Sequence, residues 1–141
     1  MSALSSLEEY SHWVYTLLEK SGRVRSHTIR LYPRGASVGV VEGDISFDQQ
    51  IVLRAYERLD FAIERILAYS YEVWRAQQQL YWYDPTPHPN NPSLARNHPH
   101  HKHVPPDIKH NRIPAPRLSF TEPNLPFLIR EVERLMEKME E

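Results

Sequence analysis

Nine of the twelve prolines fall between Pro85 and Pro116, and they divide the chain into what can fold regularly and what cannot. Each proline fixes its own φ, lacks an amide donor and turns the residue before it away from helix. Residues 85–117 are therefore expected to be an extended, irregular loop. Helix and sheet must come from the segment before it and the short segment after it. A connection this long inside a small domain is generally functional or disordered. Its composition favours function: five of the eight histidines, His98, His100, His101, His103 and His110, lie within thirteen residues there.

Before the loop the pattern has two periods. Leu4, Leu7, Val14, Leu17 and Leu18 recur at helical spacing, Ser6 and Glu9 form an S-x-x-E capping box, and Gly22 is a stop, so residues 1–22 are predicted as a helix. From 23 to 84 the apolar residues alternate. Ile45, Phe47, Ile51, Leu53 and Ala55 share a parity across Asp48-Gln49-Gln50, as in two antiparallel strands joined by a tight turn. Ile63, Leu67, Tyr69, Tyr71 and Val73 mark one face of a further strand, with Trp74 on the other. A turn at Ala76 to Gln78 returns the chain along the aromatic run Leu80 to Asp84. After the loop, Leu125, Leu128, Ile129, Val132, Leu135, Met136 and Met139 keep one face of a helix over 121–141, with Thr121 or Asn124 as its cap. That helix covers a sheet face or pairs with a second copy of the chain. The prediction is one α+β domain over 1–141: N-terminal helix, antiparallel meander, proline- and histidine-rich loop, and C-terminal helix packed on the sheet.

Several function classes drop out. With no cysteine there are no disulfides, no thiolate chemistry and no Cys-based zinc site. A start without basic and apolar regions, and the lack of a long apolar run, predict a cytoplasmic protein without membrane association. Charge is uneven. Between Arg96 and Arg117 stand Arg96, Lys102, Lys109, Arg112 and Arg117 against Asp107 alone, whereas residues 122–141 set Arg130, Arg134 and Lys138 against six glutamates. A basic segment beside an acidic helix suits a polyanionic ligand, although solvated charge is the commoner cause.

Histidine exchanges protons near neutral pH and ligates metals in its neutral form. In extended chain, His101 and His103 share one side, and His100 and Lys102 the other. Metal-free RNA cleavage needs a base for the 2′-hydroxyl, an acid for the leaving 5′-oxygen and a cation for the phosphorane, and two histidines with a lysine supply these. The candidate catalytic residues are thus Asp84, His88, His100, His101, Lys102 and His103, with Asp84 accepting an Nδ1 proton from one imidazole. Arg96, Lys102, Lys109 and Arg112 are candidates for holding RNA, and Trp82 or Tyr83 for stacking an unpaired base. His101 and His103 lie outside the apolar periodicities, so they are expected to be dispensable for folding. No cofactor is required by this reading. The same residues allow an alternative: His88, His101 and His103, with Asp84, as nitrogen and oxygen ligands for zinc, nickel or another divalent transition metal. A third reading is a protein-interaction loop without catalysis.

The stretch Tyr69-Ser70-Tyr71, then Leu80-Tyr81-Trp82-Tyr83-Asp84 with Pro87-His88, then Pro99-His100-His101-Lys102-His103, resembles the TumE-like family, small toxins of prokaryotic toxin-antitoxin pairs. The resemblance spans about residues 43–104, and its specific part is the Pro-His-His-Lys-His run. It departs from the family pattern at Pro85, Thr86 and Pro89. It implies a nuclease-type toxin partnered by a cognate antitoxin, often one with a DNA-binding domain. It places the site at Asp84, Pro87, His88, Pro99, His100, His101, Lys102 and His103.

Overall fold

The computed structural model describes residues 2–85 and 99–141, and has an α+β architecture: one helix, an eight-stranded antiparallel sheet and a second helix. Helix α1 spans Leu7–Lys20, and the Ser6 hydroxyl accepts from the Glu9 amide at 3.0 Å, as its spacing predicts. Its core stripe is Tyr10, Val14 and Leu18. The strands are β1 (Val24–His27), β2 (Arg30–Pro33), β3 (Val38–Phe47), β4 (Ile51–Asp60), β5 (Arg65–Arg75), β6 (Gln78–Asp84), β7 (His101–His103) and β8 (Arg112–Pro114). They lie in the order β1-β3-β4-β5-β6-β7-β8, with β2 also paired to β3.

β1 and β2 share one edge of β3, so the chain between them must cross that edge closely. Gly43, at φ 148°, allows it: a Cβ there would stand 2.5 Å from the Thr28 carbonyl oxygen. The Thr28 and Asp44 backbones meet in the space this leaves, the Thr28 amide donating to the Asp44 carbonyl at 2.8 Å.

One alternation is corrected by the structure. Ile63 is exposed in the turn between β4 and β5, and Leu67 is exposed because the β4–β5 register slips opposite Arg58 and Leu59; Ile66 then points into the core. A bulge adds one residue to one strand and inverts the parity beyond it.

The prolines also mislead. Residues 85–117 are not loop throughout: His101–His103 pairs with β6, and Arg112–Pro114 pairs with β7, so the sheet continues two strands past Asp84. Helix α2, Leu125–Met139, lays Leu125, Leu128, Ile129, Val132 and Met136 into the same core as the buried side chains of β3 to β6. Burying such a side chain is worth about 1.5–3 kcal/mol. The apolar face offered to a second copy is thus the one that seats the helix on the sheet. Asn124 precedes α2 but does not cap it through its side chain; its Nδ2 reaches Tyr71 Oη at 3.1 Å and its Oδ1 accepts from the Ser119 amide at 2.9 Å. No helix among the described residues is long and apolar enough to cross a membrane.

Candidate active site

The site is built on the pairing of β6 with β7, where Trp82 faces His103, Tyr83 faces Lys102 and Asp84 faces His101. Alternate residues of a strand point to opposite faces. Trp82, Asp84, His101 and His103 therefore share the face away from the helices, and Tyr83 and Lys102 share the face under α2. The split of the Pro-His-His-Lys-His run was legible in its spacing. Its consequence is that Lys102 cannot serve the same space as His101 and His103.

On the outer face Asp84 is the hub. One carboxylate oxygen, Oδ2, accepts from Trp82 Nε1 at 2.9 Å and lies 3.1 Å from His103 Nε2; the other, Oδ1, is 4.0 Å from His101 Nδ1. Asp84 thus meets His103 through Nε2, while the His101 nitrogen beside it is Nδ1. The His103 Nδ1 is 3.2 Å from the Ile108 carbonyl, and the indole of Trp82 stacks on the imidazole with centroids 3.7 Å apart. A carbonyl only accepts, so the His103 Nδ1–H donates to Ile108, and the ring is held between that carbonyl and Asp84. Arg112 faces His103 across β7 and β8, and its Nε is buried without a hydrogen-bond partner among the described residues.

Neither imidazole is at the surface: His101 is 0% and His103 3% exposed. The expectation that both are dispensable for folding is corrected, since removal of a buried, hydrogen-bonded side chain leaves a cavity and an unpaired partner. From solvent, the Asp84 carboxylate, Trp82 and Arg112 are met first; each is only partly buried.

Under α2, Lys102 Nζ donates to Glu131 Oε2 at 3.1 Å, and Tyr83 Oη donates to the same oxygen at 2.7 Å. The ammonium also lies 4.3 Å from the Tyr81 ring centroid and 5.3 Å from that of Tyr83. Burial, then Glu131, pushes the Tyr81 and Tyr83 hydroxyls well above their ordinary values, which keeps them neutral donors. His100 packs between Tyr69 and Phe120, with its Nδ1 hydrogen-bonded to the Tyr69 hydroxyl. Burial, and secondarily Asp84, raises the Tyr69 hydroxyl as well. These contacts pin β7 and the turn before it against the core.

Lys109 is exposed beyond β7, and His110 pairs with Asp107 at 3.0 Å away from Asp84. His88 and Arg96 lie outside the described residues. Among the described residues no group of three or more histidine or acidic side chains is arranged to hold a metal ion. Glu131 had no signal in the sequence beyond the charge contrast between the basic segment and the acidic helix, because its pairing with Lys102 is tertiary.

Fold and site define a small α+β protein whose histidine-bearing strand β7 meets an aspartate of β6 on the sheet face away from the helices. Residues 14–136 match the family described as toxin TumE, and the chain belongs to that family. No curated protein and no solved structure matches it.

Proposed function

We propose that this toxin acts as a metal-independent, histidine-based ribonuclease on single-stranded RNA, restrained by a cognate antitoxin, of the DNA-binding kind in some pairs. The observation that carries the reading is the union of His103, His101 and Asp84 on one face, with Arg112 beside them. Asp84, the partly exposed carboxylate beside the buried His101, takes the 2′-hydroxyl proton as the 2′-oxygen bonds to phosphorus, with His101 packed behind it. His103, which meets acceptors at both nitrogens, gives a proton to the 5′-oxygen as the phosphorus to 5′-oxygen bond breaks, leaving a 2′,3′-cyclic phosphate. Asp84 fixes the His103 ring. Arg112 replaces Lys102 as the cation for the phosphorane, because Lys102 is engaged with Glu131 on the other face. Well-placed acid and base groups contribute about 10² to 10⁴ each in rate.

The test is cleavage of single-stranded RNA by purified protein with and without a strong chelator. Cutting that persists in chelator and yields cyclic phosphate ends is expected, with losses of at least about 10² in Asp84→Asn and His103→Gln. Asparagine and glutamine retain hydrogen-bonding capacity where alanine would hollow the site. Cutting that stops in chelator favours the metal reading. Parent protein inactive in both conditions, with variants as toxic in cells as the parent, leaves only a recognition surface.

A further inference from the structure

The outer face continues from Trp82 toward β5, away from His103. His103 covers one side of the indole, and on the side toward β5 lies a cavity of about 380 Å³ lined by Ser70, Glu72, Gln79, Trp82 and Asp84. It is a depression open to solvent, so a ligand there would be held by one stacking face and by contacts along its edge. Its chemistry is unusual for a site next to a phosphate-handling centre. Among the described residues its lining has two carboxylates and no cation, Arg54 standing beyond it opposite Glu72, and it offers an aromatic wall, acceptors and the Ser70 hydroxyl. Glu72 is fixed in place: its Oε1 accepts from Trp74 Nε1 at 3.3 Å and from Gln79 Nε2 at 2.9 Å, which fills that oxygen. Oε2 of Glu72 and the amide oxygen of Gln79 remain as acceptors on the rim.

We propose that this cavity is a nucleobase subsite selective for guanine, and that it sets where the RNA is cut. The proposal rests on the ribonuclease reading above. Unpaired bases are recognised by stacking on aromatic rings and by hydrogen bonds to their Watson–Crick edges. Guanine alone presents two adjacent donors there, the N1 proton and the N2 amino group. Adenine and cytosine each place an acceptor beside their amino group, and uracil flanks its one donor with carbonyls. The Glu72 carboxylate is an acceptor only, so it satisfies the two adjacent donors of guanine and sets lone pair against lone pair for the other bases, while the Ser70 hydroxyl and the second Gln79 N–H can donate to the guanine O6. Arg112, two strands away on the far side of Trp82 and His103, leaves the phosphate over the histidines while the base lies toward β5.

The experiment is an NMR titration of the intact protein with guanosine, adenosine, cytidine and uridine 3′-monophosphates, together with the cleavage pattern on RNA containing all four bases. Guanosine 3′-monophosphate is expected to bind at least about tenfold tighter than the others, the worth of one hydrogen bond to a charged group. Glu72→Gln, which replaces a carboxylate oxygen by a donor, should erase that preference. Ser70→Leu, which fills the cavity, should abolish binding with the fold retained by amide spectrum. Equal affinities, or a preference that survives both variants, overturns the subsite. RNA cut without regard to guanosine also overturns it while leaving the ribonuclease reading in place. Selective guanosine binding without any RNA cleavage supports the subsite and overturns the ribonuclease reading.

Discussion

Glu57 is fully buried in the middle of β4, an unusual position for a carboxyl group. It accepts from Tyr10 Oη at 2.6 Å and from Tyr71 Oη, and Tyr71 is in turn held by Asn124, so one side chain ties α1, two strands and the entry to α2. Burial raises its pKa, against the opposing pull of the two hydroxyl donors. A carboxyl raised in the folded state binds its proton more tightly there than in the unfolded chain. Its contribution is therefore complete below the ordinary value of 4.5 and is lost as pH climbs through the raised folded value. Glu57→Gln removes this dependence. The difference in unfolding free energy between parent and variant should move in favour of the variant as pH rises above that ordinary value, and denaturant melts across pH measure it. Parallel curves would show that the tyrosine donors hold Glu57 at its ordinary value. Nothing in the sequence marked this residue: it sits at an inward parity of a strand, where the alternation predicts an apolar side chain, and only its partners explain it.

At the scale of elements, β3 to β6 were legible because strands of seven to eleven residues carry enough alternation to outvote local noise, and both helices because their apolar stripes span three or more turns. β7 and β8 were not, since three residues carry no periodicity and the surrounding prolines argue for irregular chain. Yet β7 contains no proline and Pro114 ends β8, on the open edge where a missing amide costs no ladder bond. Besides its ladders to β6 and β8, β7 is held by side chains. Lys102 is clamped by Glu131 and two tyrosine rings, so Lys102→Ala should destabilise the fold by about 1–3 kcal/mol through the lost cation–π and charge-assisted contacts. RNA cleavage under native conditions should fall far less than in His103→Gln. Thermal melts and initial rates on the same preparations separate the two effects. A variant as stable as the parent, yet inactive, would return Lys102 to the catalytic group. Glu131→Gln should reproduce the stability loss in part, because Tyr83 and Lys102 share the same carboxylate oxygen.

Among the described residues two helices roof one sheet face and the histidines lie on the other, and the charges are apportioned accordingly. The basic residues of the segment after Asp84 looked equivalent in sequence, as a single positive run. In three dimensions Lys102 turns inward to an acidic helix, Lys109 is solvent-exposed, and Arg112 stands beside His103 on the other face, its Nε without a partner among the described residues. Only cations that neutralise phosphates release counterions on binding, and each contributes about −0.7 to the slope of log affinity against log salt for a single strand. A histidine variant that does not cut, His103→Gln, allows the affinity for single-stranded RNA to be measured over a range of salt. In that background Arg112→Ala should flatten the slope by about 0.7. Lys102→Ala should leave the slope unchanged, since its charge is already balanced by Glu131. A flattening by Lys102→Ala with none from Arg112→Ala would place the phosphate path under α2, on the opposite side of the sheet from Asp84, and would separate RNA binding from the histidine site altogether.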